Sequence, residues 1–409
     1  MYITRQLEQT IRKASGEYPV VMVCGQRQVG KSTMLYHIRE EERRYVSLDD
    51  AAARRLAEND PALFFETYPA PLLIDEFQRV PGLLLEIKRI VDERTLKGED
   101  VHGAYWLTGS QRFVMMRDVA ESLAGRVAIF TLAGLSMDEI DGNAGGGPFS
   151  PELDDLKERL KSRKKRTLPE VFEEIYLGGL PRLRTSAIER DRYYSDYIDT
   201  YLSRDIADLA QVGKIREFYD FLVLMAARTG QELKYEDLSS AIGVSAPTIR
   251  SWVAILERSG VILILRPYFT NLTKRMVKTP KVYFMDTGLA AYLCRWTSPE
   301  VLASGAMNGA FFETWVVTEI AKSCYHTGSQ PDLYYYRDVD KREIDLLVIR
   351  DGKVWPIEIK MNKMPKDPDR HFPAVGKLGL EVQPGLVLCM ADELIPYSRS
   401  CYLCPVRVL

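Results

Sequence analysis

Eight residues near the N-terminus combine glycines, a lysine and a hydroxyl group in a spacing suited to phosphate chemistry. They read Gly25-Gln-Arg-Gln-Val-Gly-Lys-Ser32, after an apolar run and before a helical pattern over Ser32–Glu40. The glycines would let backbone N–H groups wrap a phosphate at the helix N-terminus. Lys31 would reach the β- and γ-phosphates, and Ser32 would hold Mg²⁺. The pattern predicts a site for ATP with Mg²⁺, formed by Gly25, Gln28, Val29, Gly30, Lys31, Ser32 and Thr33.

Two acidic residues complete this candidate site. The apolar run Pro71-Leu-Leu-Ile ends in Asp75 and Glu76. Asp75 is placed to bind the Mg²⁺ shell, and Glu76 is suited to polarise an attacking water. These carboxylates predict that the nucleotide is hydrolysed.

A further apolar strand, Ala104-Tyr-Trp-Leu-Thr-Gly-Ser-Gln111, ends in small polar residues. It resembles the sensor strand of AAA-type ATPases, in which a polar side chain positions the lytic water, and Ser110 or Gln111 would have that role. The segment Ser122-Leu-Ala-Gly-Arg126 precedes the next predicted strand. Arg126 is either an arginine that stabilises the transition state, in its own site or a neighbour's, or a surface arginine near a helix C-terminus.

Paired carboxylates also occur near the C-terminus, on two β-prone arms joined by Asp351-Gly352. That dipeptide is a strong signal for a two-residue hairpin turn. In the resulting register Asp345 lies directly across from Glu358, and Lys360 shares the face of Glu358. Opposed like charges are destabilising unless something binds between them, so the pair predicts a divalent cation, Mg²⁺ or Mn²⁺. Lys360 would orient a nucleophilic water or stabilise developing negative charge.

This set resembles the Asp…Glu-x-Lys core of the restriction-endonuclease-like nucleases, which usually add a helix glutamate upstream. Here Glu313 lies on a predicted helix with an apolar, inward stripe, where a carboxylate needs a partner. Glu319 is a weaker alternative. A solvated hairpin with ordinary surface charges is the other interpretation, and such folds also persist as binding modules without cleavage.

Residues 235–262 predict a helix-turn-helix. Gly243 would make the turn and Ser245 would cap the second helix. The predicted inward residues are Leu238, Ala241, Ile242, Ile249, Val253 and Leu256. The residues left outward, as a groove-reading helix requires, are Thr248, Arg250 and Ser251.

Two strands, Val261–Pro267 and Lys281–Met285, would form the wing of a winged helix after these helices. The cations predicted to contact phosphate along this wing are Lys274, Arg275, Lys278 and Lys281. DNA is therefore an expected partner. The alternative is that the winged helix joins domains or contacts protein.

The elements that must position these residues begin with an alternation of strands and helices from about 18 to 135, which predicts a parallel sheet. The strand candidates are Val20–Cys24, Arg44–Leu48, Pro71–Asp75, Ala104–Thr108 and Val127–Leu132. A glycine-rich break over 141–148 follows, and then a helical segment from 168 to about 230.

Length and composition set the broader class. A chain of 409 residues is too long for one compact core, so more than one domain is expected. Apolar residues make up 46% and charged residues 27% of the chain, which is ordinary for a globular protein. A net charge of −2 requires that any nucleic-acid contact be local. Apolar runs are too short to span a membrane, and the N-terminus does not read as a signal peptide, so we expect a cytoplasmic protein. The scattered cysteines, including Cys401 and Cys404, fit packed thiols better than a zinc site.

The chain as a whole resembles a prokaryotic family of AAA-type ATPases with a C-terminal restriction-endonuclease-like, PD-(D/E)xK, domain. Besides the motifs above, the resemblance includes Gly178-Gly-Leu-Pro181 and Tyr201-Leu-Ser-Arg-Asp205. It implies an α/β fold: a P-loop AAA-type parallel sheet with a helical lid, then a winged helix and a restriction-endonuclease-like α/β domain. The expected boundaries are 1–140 for the ATPase domain, 141–215 for linker and lid, 216–300 for the winged helix and 301–409 for the nuclease-like domain.

The expected function is that of an ATP-hydrolysing, DNA-binding protein whose C-terminal domain uses metal to cut nucleic acid. The candidate catalytic residues are Glu76, Arg126, Glu313, Asp345, Glu358 and Lys360. A nucleotide-dependent switch or scaffold that binds DNA or protein without cleavage is the alternative, and a transcription regulator is a third. A homo-oligomer is expected if Arg126 acts in a neighbour's site.

Overall fold

The computed structural model describes residues 1–109, 123–201, 215–269 and 279–409. The chain divides into two compact units, and each is treated by itself. Unit 1 contains Met1–Leu135, Arg258–Gly260 and Tyr325–Ser329. Unit 2 contains Ser136–Glu257, Val261–Cys324 and Gln330–Leu409. The four-part division expected from the sequence stays a prediction.

The first 135 residues are built around a parallel sheet. In chain order the elements are α1 (Leu7–Ser15), β1 (Val20–Cys24), α2 (Lys31–Ile38), β2 (Arg44–Ser47), α3 (Ala51–Asn59), α4 (Pro61–Thr67), β3 (Leu72–Asp75), a 3₁₀ turn (Phe77–Arg79), α5 (Leu83–Leu96), β4 (Tyr105–Gly109) and β5 (Val127–Thr131). The strands pair in the order β2-β3-β4-β1-β5, all in parallel. Every residue of β1, β3 and β4 is buried, as expected for parallel strands covered on both faces. The predicted strands are confirmed to within one residue at either end.

From residue 136 the elements are more varied. They are α6 (Met137–Ile140), α7 (Leu153–Ser162), α8 (Leu168–Leu177), α9 (Pro181–Thr185), α10 (Arg190–Tyr201), α11 (Ile215–Ala226), β6 (Gln231–Glu232), α12 (Tyr235–Ile242), α13 (Ala246–Arg258), β7 (Ile262–Pro267), β8 (Lys281–Phe284), α14 (Thr287–Leu293), α15 (Pro299–Ser304), α16 (Asn308–His326), β9 (Leu333–Arg337), β10 (Glu343–Arg350), β11 (Lys353–Ile359), a 3₁₀ helix (Phe372–Leu378), β12 (Glu381–Val382), β13 (Gly385–Cys389), β14 (Ile395–Ser398), β15 (Cys401–Pro405) and a 3₁₀ turn (Val406–Val408). The strands pair in the order β14-β15-β13-β11-β10-β9-β7-β8-β6, and β12 pairs with β11.

Helices α12 and α13 match the predicted pair of short helices. Gly243 ends α12 with a φ of 81°, and the Ser245 hydroxyl accepts a hydrogen bond from the Thr248 amide at 3.3 Å. The inward positions are confirmed except in the last turn of α12, where Ala241 is exposed and Ile242 is half-buried. Val244, in the turn, is buried there instead.

The hairpin of β10 and β11 has the predicted register. Arg350 pairs with Lys353 and Leu346 pairs with Ile357, in antiparallel orientation. The turn residues have φ angles of 51° and 75°, both in the left-handed region that such two-residue turns require. This register places the next residues of the two arms, Asp345 and Glu358, opposite each other.

Cys401 and Cys404 are buried on β15, in agreement with the packing interpretation. Across the described ranges of the chain, no helix is both long enough and apolar enough to cross a membrane.

Candidate functional site

The glycine loop connects β1 to α2 through an unusual backbone. A Cβ atom on Gly25, whose φ is 148°, would lie 2.0 Å from the carbonyl oxygen of Leu132. Gln28 and Gly30 have φ angles of 60° and 92°. Backbone that alternates between left-handed and ordinary conformations forms concavities lined by N–H groups, which bind anions. The loop therefore has the local geometry of a phosphate site.

Lys31 is held against this loop. Its side chain is buried, and Nζ donates to the carbonyl oxygens of Gly25 and Gln26 at 3.0 and 2.9 Å. Burial lowers the pKa of Lys31, while the nearby Glu76 and Asp75 carboxylates favour its charged form. The ammonium group is thus retained at the loop by backbone acceptors that a phosphate could replace.

Three hydroxyl groups converge on Asp75 at the carboxyl end of β3. Ser32 donates to Oδ1 at 2.6 Å, Thr108 donates to the same oxygen, and Tyr45 donates to Oδ2 at 3.0 Å. Burial and the Asp75 charge raise the pKa of Tyr45 to about 12. Ser32 and Asp75, the predicted Mg²⁺ residues, are therefore in direct contact, and Tyr45 fixes the second carboxylate oxygen.

Glu76 has a left-handed backbone, with a φ of 53°. Such a conformation costs on the order of 1 kcal/mol or more outside glycine and is enriched at functional sites. The Gln78 side-chain amide donates to Glu76 Oε2. The strained backbone places this carboxylate beside Asp75 without continuing the strand.

The remaining predicted residues of this site are less informative. Ser110 and Gln111 lie outside the described residues. Arg126 donates to Asp92 Oδ1 on α5 at 2.6 Å, and its side chain is 33% exposed. The role of Arg126 in catalysis stays a prediction.

In unit 2, Asp345, Glu358 and Lys360 meet at the carboxyl end of β11. Lys360 Nζ lies 2.7 Å from Glu358 Oε1 and 3.6 Å from Asp345 Oδ2. Asp345 Oδ2 also accepts the backbone N–H of Ile359 at 2.9 Å. The three side chains predicted from the hairpin register are therefore brought together.

The second carboxylate oxygen of Glu358 is buried and has no hydrogen-bond partner within the part of the chain that the structure describes. Burial, and then the charge of Asp345, raise the pKa of Glu358 to about 7, against the opposing effect of Lys360. An unpaired buried carboxylate oxygen is costly. Protonation of this oxygen, or the binding of a cation to it, would remove that cost.

Glu313, on α16, belongs to the same electrostatic cluster. Its Oε1 accepts hydrogen bonds from Tyr283 at 2.7 Å and from Lys281 at 3.1 Å. Burial, and then the charge of Asp345, raise the pKa of Glu313 to about 7. Glu319, the alternative helix glutamate, instead accepts the backbone N–H of Met137 at 2.8 Å, at the start of α6.

The prediction that Lys281 contacts phosphate is wrong. Lys281 is only 4% exposed, and its Nζ is 2.7 Å from Glu343 and 3.1 Å from Glu313. Two carboxylates compensate the burial of its charge, so the ammonium is not available to a polyanion. The other wing cations, Lys274, Arg275 and Lys278, lie outside the described residues.

The donor set is compatible with a divalent cation that keeps most of its water. No three His, Cys, Asp or Glu side chains come together as a metal-binding group, as far as the described ranges extend. Mg²⁺ and Mn²⁺ need fewer, because one or two carboxylates with waters suffice. Asp345 and Glu358 at the C-terminal set, and Ser32 with Asp75 at the loop, meet that requirement.

Four contributing residues were not predicted for these roles. Thr108 lies on the predicted sensor strand, and its contact follows from the pairing of parallel strands β3 and β4. Tyr45 carries no distinguishing pattern. Lys281 and Tyr283 alternate along β8, and a lysine on an inward-facing strand position would have signalled a buried acidic partner.

Three family models match successive parts of the chain. Residues 17–141 match an AAA domain, 168–300 match a domain of unknown function (DUF8612), and 308–409 match a second domain of unknown function (DUF4143). The N-terminal part is therefore an AAA-type P-loop ATPase domain, a fold that supports nucleotide binding and hydrolysis.

Two related proteins can be aligned with most of the chain. Uncharacterized proteins of Mycobacterium tuberculosis and Mycobacterium bovis are each 28% identical over 359 residues, which is 87% of this chain and 73% of theirs. Among solved structures, the Walker-type ATPase of Pyrococcus abyssi has a TM-score of 0.42 at 13% identity, over 70% of this chain and 94% of that one. A RuvB variant from Thermotoga maritima has a TM-score of 0.31 at 13% identity, over 63% and 88%.

Proposed function

We propose that this chain is an ATP-hydrolysing AAA-type protein that binds DNA and carries a metal-dependent, restriction-endonuclease-like domain at its C-terminus. The observation that carries the nuclease part is the meeting of Asp345, Glu358 and Lys360 at one end of β11, with an unpaired buried oxygen on Glu358 within the described chain. The ATPase part rests on the contact between Ser32 and Asp75 beside the glycine loop.

In the nucleotide site, each side chain has a distinct role. Lys31 would exchange its backbone acceptors for phosphate oxygens, and Ser32 and Asp75 would hold Mg²⁺, which supplies charge neutralisation at the phosphates. Glu76 would orient and polarise the attacking water. Tyr45 would keep the Asp75 carboxylate in one orientation.

DNA binding is supported by the order of elements between residues 215 and 284. Helix α11, strand β6, helices α12 and α13, and the paired strands β7 and β8 follow the order of a winged helix. Arg250 and Ser251 on α13 are exposed. In that fold the second helix of the pair enters the major groove with such residues.

In the C-terminal site, the residues support phosphodiester hydrolysis. Asp345 and Glu358 would hold Mg²⁺ or Mn²⁺, which supplies Lewis-acid activation of a water and of the phosphate. Lys360 would hold that water or stabilise negative charge on the phosphate. Glu313, with its raised pKa, is suited to exchange a proton with the cluster near neutral pH.

A second function is favoured by the burial of Lys281. Because this wing cation is neutralised by two carboxylates, the local positive charge available to DNA is smaller than the sequence indicates. A nucleotide-dependent switch that binds DNA or protein without cutting would be consistent with that change.

Nicking of supercoiled plasmid separates the two functions. The wild type, Lys31→Ala and Asp345→Asn would be assayed with Mg²⁺ or Mn²⁺, with and without ATP. We expect nicking by the wild type and a loss of at least about a hundredfold in Asp345→Asn, since the isosteric amide removes a charged ligand. Lys31→Ala should lose ATP hydrolysis.

Asp332→Asn is the matched control, because Asp332 is an exposed aspartate in the same domain. Equal nicking by wild type and Asp345→Asn under every condition would remove the nuclease proposal and leave the switch. Normal ATP hydrolysis by Lys31→Ala would remove the nucleotide assignment.

A further inference from the structure

A cavity of about 490 Å³ lies where three parallel strands of unit 2 end. Strands β11, β13 and β15 are parallel neighbours, and the residues that end or follow them line the cavity with the start of α8. Ligands of parallel sheets bind at the carboxyl ends of the strands. The volume also falls within the range of small-molecule sites, about 300–1,000 Å³. We name this cavity the strand-end pocket.

The lining of the strand-end pocket combines an apolar floor with a basic rim. The floor includes the buried side chains of Val171, Trp315, Met390 and Val406. The rim includes Lys164, Lys165, Lys363 and Arg407. A ligand that fits both would have an apolar part and an anionic part.

The rim lysines can exchange their present carboxylate partners for an anionic ligand at little cost in free energy. Lys165 pairs with Glu393 at 3.1 Å and Lys363 pairs with Asp392 at 2.9 Å, and all four side chains are more than half exposed. Exposed pairs of this kind contribute about 0–1 kcal/mol. The lining also contains three acidic residues. Asp141 accepts two hydrogen bonds from Arg166, at 2.6 and 2.7 Å, Asp392 is the partner of Lys363, and Glu170 accepts hydrogen bonds from Thr167.

The strand-end pocket lies at the same end of β11 as the carboxylate set. Lys360 follows the last residue of β11, and Met361, the next residue, lines the cavity. The Lys360 amide is bonded to Leu388 of β13, directly before the lining residues Cys389 and Met390. The lining of the cavity therefore begins one residue after the carboxylate set along the chain.

We propose that the strand-end pocket binds a single nucleotide, with its base on the apolar floor and its phosphate on the lysine rim. The nucleotide comes either from a strand held at the carboxylate set, which rests on the proposed function, or from free mononucleotide. Both sources share the chemistry that the pocket recognises.

The test is calorimetric titration with thymidine 5′-monophosphate while Mg²⁺ and inorganic triphosphate, which carries no base, fill the P-loop site. We expect binding by the wild type, and binding at least about tenfold weaker for thymidine and for inorganic phosphate. Ala391→Trp should abolish binding, because Ala391 lines the cavity and the indole would fill it. Lys164→Glu should weaken it about tenfold by charge reversal.

Val382→Trp and Lys377→Glu are the matched controls, since both residues are exposed and neither lines the cavity. The proposal is overturned if Ala391→Trp and Val382→Trp bind alike, if inorganic phosphate binds as well as the nucleotide, or if the wild type shows no binding up to about 10 mM. Lys164→Glu keeps the test informative if Ala391→Trp fails to fold.

A competition experiment identifies the source. Displacement of the mononucleotide by oligothymidylate without terminal phosphates indicates a strand nucleotide, and the lack of displacement indicates a free mononucleotide. Binding would be repeated in Asp345→Asn. Nicking that is absent while nucleotide binding persists would remove the proposed function and leave the pocket assignment in place.

Discussion

At the scale of single residues, the two candidate sites treat their carboxylates in opposite ways. Asp75 is surrounded by three hydroxyl donors, which satisfy its charge. Glu358 is buried against another carboxylate with one oxygen unpaired among the described residues. The Asp75 carboxylate is therefore already held in place to bind Mg²⁺. The Glu358 carboxylate instead needs a proton or a cation on its unpaired oxygen.

The unpaired oxygen of Glu358 predicts a pH dependence of stability. Burial, and then the charge of Asp345, raise the pKa of the Glu358 carboxyl from its reference value of 4.5 to about 7 in the folded protein. Between these values the folded state binds more protons than the unfolded state, so stability falls as pH rises. Glu358→Gln should therefore be more stable than the wild type near pH 8, by on the order of 1–3 kcal/mol, and should match it near pH 4.

Denaturant unfolding at a series of pH values without metal measures this difference. Glu381→Gln, an exposed glutamate on β12, is the control. A wild-type advantage that persists unchanged from acid to alkaline pH would contradict the prediction.

Tyr45 predicts a selective effect on ATP hydrolysis. Tyr45→Phe removes the hydroxyl that donates to Asp75 Oδ2, while the ring stays in place. We expect kcat to fall by roughly threefold to tenfold, equivalent to about 0.7–1.4 kcal/mol, with KM for ATP little changed. Tyr36→Phe, which alters the neighbouring ring in edge contact with Tyr45, should leave kcat unchanged. Equal effects of both substitutions would argue against a role for the hydroxyl at Asp75.

At the scale of elements, pattern and register were predictable where local rules determine the conformation. The buried strands of the first unit are continuous apolar runs, and the Asp351-Gly352 turn fixes how β10 and β11 pair. The last turn of α12 was less predictable, because Ala241 is small enough to face solvent while Val244 takes the buried position. The partners of Lys281 could not be identified from the sequence, since Glu313 and Glu343 are on elements distant from β8 along the chain.

Helix α13 predicts the salt dependence of DNA binding. Arg250 is 59% exposed, lies 3.6 Å from Glu236 in an ion pair, and has its guanidinium carbon 4.4 Å from the centroid of the Tyr235 ring. Arg250→Ala should weaken DNA binding and reduce the slope of log affinity against log salt by about one, if this residue contacts a phosphate. Fluorescence anisotropy with duplex DNA at several salt concentrations measures both. Arg192→Ala, on α10, is the control, and an unchanged slope in Arg250→Ala would place DNA elsewhere.

At the scale of the whole molecule, Arg126 tests whether the ATPase works as an assembly. Arg126→Ala should reduce ATP hydrolysis by about a thousandfold if the guanidinium stabilises the transition state. Mixing Arg126→Ala with Lys31→Ala should restore activity if the arginine serves a neighbouring site, because one mixed site then holds both residues. Mass measurement with and without ATP reports the assembly directly.

Asp92→Ala distinguishes a catalytic role of Arg126 from a structural one, because it breaks the same 2.6 Å ion pair but keeps the arginine. If Asp92→Ala loses as much activity as Arg126→Ala, the arginine acts through folding. If the mixture stays inactive, an arginine acting between subunits is excluded.

Strand β7 pairs with one strand of the candidate DNA-binding segment and with one strand of the candidate nuclease core. It pairs antiparallel with β8, and in parallel with β9 through Arg266–Tyr334 and Pro267–Tyr335. The candidate DNA-binding segment and the candidate nuclease core are therefore joined by main-chain hydrogen bonds as well as by the chain. Cutting the gene near codon 300 would leave β9 as an unprotected sheet edge, prone to self-association. The two segments should therefore be expressed and purified together as one polypeptide.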